Sequence, residues 1–262
     1  MGNQLPFGPK DLSKPPMEGK AFVESLRASK RQKYPDGPPF LRALAMGELS
    51  MDDIRTWAKD MYPYWNEGLV YAVGAIYIKT NDEPSRTHML RRMVDVEGED
   101  VVNDLMGWET PAYEELWLRY AEGVGLSRKD VLGWQQFTRT YMSMRTLMTY
   151  SRFWDWTWLD GVATWYAADL HWKDHYTKAY EALKSTYGVP DQALEFFRVL
   201  LGDVDSHIPW EEECLAYWAC TTERQLTAAR AFRERLDIED QLLVAVNVAR
   251  TAERLPFQVP AL

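Results

Sequence analysis

The stretch YAADLHWKDHY, residues 166–176, holds His171 and His175, two of the four histidines in the chain. A neutral imidazole can take up a proton, ligate a metal or simply satisfy a hydrogen bond. The two lie one helical turn apart, so they could grip a metal together, run acid–base chemistry, or sit on the wet face of a helix. HWKDH lacks the glutamate that follows the first histidine of HExxH, which argues against a zinc protease. By periodicity both lie about a quarter turn off the apolar stripe Trp172–Tyr176–Ala179–Leu183, which points them toward solvent.

Three other groups have chemical potential. Glu97 falls on a stripe of Leu90, Met93, Val94, Val101 and Leu105, and Asp104 lies at its edge two turns on. A carboxylate facing a core needs a partner or a function, so Glu97 is either a structural ion pair or a site residue. His207 ends the stripe Ala193–Phe197–Leu200–Val204, with Asp203 one turn earlier. Tyr62, Tyr64, Trp65, Asn66 and Glu67 crowd around Pro63, a mixture of rings and polar tips suited to a small aromatic ligand or to plain core packing.

The elements that must carry these residues are all helical by pattern, with no convincing alternating strand. Helices are expected over 17–33 and 40–46, and after Ser50, whose Asp53 makes a good cap. The helix after Ser50 is expected to continue to about residue 80 with a kink at Pro63. Others are expected over 85–106 and 109–126, from Ser127 to about 150, and from 154 to Gly188. A helix over 189–207 is expected to break at Pro209, with helices 209–236 and 237–255 closing the chain. No linker or internal repeat divides the sequence. The expectation is a flexible segment 1–16 and one all-α domain over 17–262.

Bulk properties narrow the function. Hydrophobic residues make up 46% of 262 and aromatics 13%, with 12 Trp, ample for a large core. The net charge of −9 argues against a nucleic-acid partner. No apolar run approaches the ~18 residues of a membrane span. Cys214 and Cys220 fall on different helix faces and read as reduced thiols, which with the polar, proline-rich start MGNQLPFGPKDLSKPP points to the cytoplasm. No phosphate loop or nucleophile elbow is present.

Several segments, in order, resemble one family. PPFLRALAMGELSMDDIRTWAKDMYPYW resembles the HPF…G.LS…I..W opening of the pyrroloquinoline quinone biosynthesis C proteins (PqqC-like). LRRMVDVEGED is similar to their RIIDHDG helix, and YEELWLRYAEGVGLSRKDVL to their W..L.EAVGLSR.DL segment, the most specific match. YAADLHW resembles FAPQIHQ. The order holds from about residue 34 to 207. The resemblance implies the heme-oxygenase-like fold, a single helical bundle shared with TenA thiaminases and with oxidases that build a non-heme di-iron site.

Position by position, His171 matches the pocket histidine that contacts substrate and oxygen in PqqC-like enzymes. Val96 replaces the histidine of DHDG, and Glu97 takes the next acid position. Glu97 and Asp104 match the di-iron E-x6-H spacing with Asp for His. Leu200, Val204 and His207 stand where those oxidases have H-x3-D-x2-H, and Thr164 stands near their glutamate, so a full di-iron set is absent. Asp60 and Tyr64 echo the TenA substrate pair, but no cysteine lies near residue 168.

The resemblance thus implies an oxidoreductase that uses O2 on a small aromatic or amino-acid-derived substrate in cofactor or natural-product biosynthesis. His171, Glu97 and His207 would be catalytic, and Tyr62, Tyr64, Trp65 and Asp60 would bind substrate. One alternative is a non-heme iron or manganese enzyme with Glu97, Asp104, His171, His175 and His207 as ligands. Another is a protein that binds a small molecule and leaves it unchanged. The family also implies a homodimer, with small substrate and O2 as the other partners.

Overall fold

The computed structural model describes residues 14–98, 111–152 and 157–252, and every regular element among them is helical. Helix α1 spans Gly19–Lys33 and α2 Pro39–Ala45. Helix α3, Met51–Pro63, starts at the expected Ser50–Asp53 capping box. Pro63 does not merely kink the next stretch. Tyr64–Gly68 forms a π-helical turn before α4, Leu69–Lys79. Such a turn inserts an extra residue and re-aims the side chains around it, and here both Tyr64 and Trp65 point inward, fully buried.

Helix α5, Glu83–Glu97, begins at Asp82, whose side chain accepts from the Ser85 amide, and stops at Gly98 with φ +79°. Helix α6 is Tyr113–Gly123. The single helix expected from Ser127 to about 150 is two, α7 at Arg128–Leu132 and α8 at Thr138–Arg152. Asp60 holds the break between them: it accepts from Trp134 Nε1 at 3.2 Å, the Phe137 amide at 2.7 Å and Thr140 Oγ1 at 2.6 Å. A buried carboxylate with three donors outweighs the helical preference of the intervening residues.

Helix α9, Trp158–Ser185, is capped by Thr157 and Asp160. Helix α10, Glu195–Trp218, runs through Pro209 rather than ending there, because proline removes only one backbone donor and packing compensates. The chain turns instead at Ala219–Thr221, where the Thr221 hydroxyl accepts from the Arg224 amide. The two helices expected after this point are one, α11, Thr222–Ala252, since Ile238 and Glu239 continue its buried face.

Helix α9 is the axis of the bundle, packed against α10, α11, α2 and α4. Its first half is buried on every side, from Leu159 to Asp169. Trp65, Trp117, Phe196, Phe197, Trp57 and Tyr176 interlock beside it, with Trp65 and Phe196 centroids 4.7 Å apart. Truncating one such ring costs about 3–5 kcal/mol. No described helix is long and apolar enough to cross a membrane.

Candidate functional site

The π turn delivers Tyr64 to α11. Its hydroxyl accepts from Arg235 Nη2 at 2.7 Å and donates to Glu239 Oε1 at 2.6 Å. Arg235 and Glu239 pair across one turn of α11 at 2.7 Å, and Trp172 Nε1 donates to the other carboxylate oxygen at 3.3 Å. All four side chains are buried. Burial, and then the Glu239 carboxylate, drive the Tyr64 pKa far up, although Arg235 opposes them, so the phenol keeps its proton.

Trp165 sits between this cluster and a second one. The Arg235 guanidinium lies 5.6 Å from its ring and that of Arg92 lies 4.3 Å away. Arg92 donates through both Nη atoms to Asp169 and through Nη2 to Glu211 Oε1 at 2.7 Å. Both carboxylates are fully buried. Desolvation, and then the neighbouring Asp169, push Glu211 well above the usual carboxylate range, with Arg92 opposing them.

His171 and His175 are not solvated: they are 4% and 6% exposed. The stripe reading fails because α9 is surrounded, so positions off its main stripe also face neighbours. The two rings meet edge to face with centroids 4.7 Å apart, and each Nε2 is buried without a partner. Burial holds His171 well below the ordinary imidazole value, with His175, Lys30 and Arg235 adding to the effect. His175 is pushed down to about 4 by burial and by Lys30. Both are neutral at pH 7. Lys30, itself buried, pairs with Asp174.

His207 joins a different group. With Asp95 accepting from its Nε2–H at 2.8 Å, Nδ1 is left bare and accepts from His88 Nε2–H at 3.0 Å. His88 stacks on Trp210 at 3.7 Å. Burial lowers the pKa of both histidines to about 3. On the adjacent turn, Tyr113 donates to Asp203 at 2.7 Å, and burial raises Asp203 to about 6.

The remaining expected residues separate. Glu97 is exposed at the end of α5, so the stripe on which it was placed is not the buried one. That face is Ser85, Met89, Arg92 and Val96, and it misleads the eye because its centre is an arginine neutralised from within. Asp104 lies outside the described residues. Tyr62 is half-buried, its hydroxyl 3.5 Å from Glu114. Asp60 spends its bonds on the α7–α8 break.

A di-iron or mononuclear site does not fit the described residues. Burial and cations lower the pKa of His171 and His175, His207 is engaged by Asp95 and His88, and no three His, Cys, Asp or Glu side chains among the described residues gather around one point. Arg92, Asp169, Glu211, Arg235 and Glu239 are the residues that sequence patterns missed. Their one signal is a charged residue recurring at helical spacing among apolar ones, such as Arg235–Leu236–Glu239–Leu242.

A model of the TENA/THI-4/PQQC family matches residues 27–199. The chain belongs to that family. Among TENA/THI-4/PQQC proteins it is similar to the pyrroloquinoline-quinone synthase of Cronobacter sakazakii (strain ATCC BAA-894), 23% identical over 245 residues covering 90% of each chain. It is 30% identical over 132 residues to the bifunctional coenzyme PQQ synthesis protein C/D of Methylorubrum extorquens, covering 50% of this chain and 33% of that one. Its fold matches a heme oxygenase-like domain of unknown function from Shewanella denitrificans OS217, with TM-score 0.70, 16% identity and coverage of 92% and 98%. A TenA homologue from P. horikoshii OT3 gives TM-score 0.60 at 13% identity, covering 84% and 98%. The expected family and heme-oxygenase-like all-α bundle are therefore correct. Arg235 and Glu239 lie beyond the stretch that defines the TENA/THI-4/PQQC match.

Proposed function

We propose that this protein is an oxidoreductase that passes two electrons from a small aromatic or amino-acid-derived substrate to O2 in a biosynthetic pathway. The observation that carries the reading is His171: a buried, neutral imidazole with an unpartnered Nε2. A neutral imidazole in that setting takes a proton from substrate. The electron-rich anion then delivers two electrons to O2. Substrate loses two hydrogens and O2 leaves as hydrogen peroxide, so the step balances without another reductant. The names of the pyrroloquinoline-quinone synthase relatives agree with this reaction class.

The test is O2 uptake and peroxide release against a panel of catechols, aminophenols and aromatic amino acids, with and without chelator. Turnover that survives chelation and collapses in His171→Ala supports the reading. Stoichiometric iron or manganese whose removal abolishes turnover overturns its metal-free form. A bound panel compound recovered unchanged in every condition leaves a binding protein instead.

A further inference from the structure

The turn between α1 and α2 covers a cleft of about 240 Å³ lined by Pro35, Asp36, Leu41, Arg42, Ala45, Met46, His175 and Lys178. None of the chemistry described above uses it. We propose that this cleft is a binding site for a small organic monocarboxylate.

Charge is the first argument. The chain carries −9 overall, yet the cleft holds two cations, Arg42 and Lys178, against one acid, Asp36. Arg42 and Asp36 are exposed and stand 3.8 Å apart, a loose pair that leaves the guanidinium donors available. Lys178 has no ion pair among the described residues. One surplus positive charge suits a monoanion better than a dianion.

The floor is the second argument. His175 is 6% exposed, lines the cleft, and has a buried Nε2 with no hydrogen-bond partner. A buried polar atom left unpaired costs about 1–3 kcal/mol, so the ring at the floor of the cleft is poised to respond to a ligand above it. The backbone keeps the wall close to this ring. Gly37 has φ +70°, and a Cβ there would lie 2.1 Å from His175 Cε1. Only glycine lets the turn rest on the imidazole.

The walls are the third argument. Leu41, Ala45 and Met46 supply the apolar lining, with Met46 64% exposed. An organic tail covers them and inorganic phosphate does not. The volume falls below the roughly 300–1,000 Å³ of typical ligand pockets, which limits the tail to a few carbons.

This site does not depend on the oxidase reading, because its test involves no turnover. With only four histidines, the His175 imidazole can be followed by 15N–1H NMR of the full chain at pH 7. Hexanoate, hexanol and inorganic phosphate are titrated separately. We expect a saturable His175 shift with hexanoate, absent with phosphate and with hexanol. Arg42→Met and Lys178→Met should each weaken it at least fivefold, and both positions are exposed, so an unchanged thermal midpoint shows that folding is intact. No saturable hexanoate shift overturns the proposal. So does an equal response to phosphate or hexanol, or binding that survives both substitutions.

Discussion

The imidazoles of His171 and His175 pack edge to face, 4.7 Å between centroids, inside the bundle and next to two cations. Neither can be charged at neutral pH without meeting Lys30 or its neighbour. That relationship turns a sequence motif into two distinct residues: His171 deep in the bundle, His175 at the floor of a surface cleft.

If His171 is the base, His171→Ala should lower turnover by about 10²–10⁴-fold, the usual worth of a positioned general base. Because its pKa is held well below 6.5, the rate should stay flat from pH 8 to pH 6. A rate that halves near pH 6.5 would show an ordinary, solvated imidazole in its place.

The Arg235–Glu239 pair is buried, so breaking one side strands the other. Arg235→Met should destabilise by about 3–5 kcal/mol, measured by urea unfolding, because Glu239 then stays buried without its cation. Arg235→Met with Glu239→Leu should recover much of that loss. Tyr64→Phe, which removes one hydroxyl from the cluster, should cost about 1–3 kcal/mol.

Burial and Asp169 push the Glu211 carboxyl toward its neutral form, so Glu211→Gln changes it less than a substitution that removes a fixed charge. We expect about 1 kcal/mol or less from it, at the low end of the usual range for single substitutions. Asp169→Asn should cost several-fold more, since Asp169 engages both Nη atoms of Arg92. Thermal midpoints of the two variants order the effects.

Acid should unfold the protein early. His207 and His175 have folded pKa values near 3 and 4, below the unfolded value of 6.5. Below pH 6.5 the unfolded chain therefore binds protons that the folded chain refuses. Stability is full above 6.5 and falls as pH drops, by about 1.4 kcal/mol per pH unit per histidine until each folded pKa is reached. Urea midpoints at pH 7 and pH 5 should differ accordingly, and His175→Phe should flatten the slope.

Gly37→Ala should be strongly destabilising, because it combines positive φ with a Cβ driven into His175. His175→Ala removes the ring it strikes. The double variant should regain the steric part and retain the conformational part, a comparison that differential scanning calorimetry can make.

Local chemistry was legible in one dimension. The Ser50–Asp53 and Ser127 caps, the helical period, the glycine stops and the family segments are properties of neighbours in sequence, and they led to the right fold. Pro209 and Asp237 misled the reading because a single weak helix position is overruled when the flanking turns are packed. The site was only half legible. His171 and Tyr64 could be named from motif segments, but Arg235, Glu239, Arg92 and Glu211 come from helices far apart in sequence, and a charge is stable inside a bundle only when its partner arrives from another helix. Periodicity reads such a charge as a solvent face, and the apolar stripe that carries Glu97 is not the face that α5 buries. The sequence by itself determined the all-helical class and the family segments in their order. Tertiary structure alone decided which charges were buried, because the cost of desolvating each one is met only by the residues that folding brings to it.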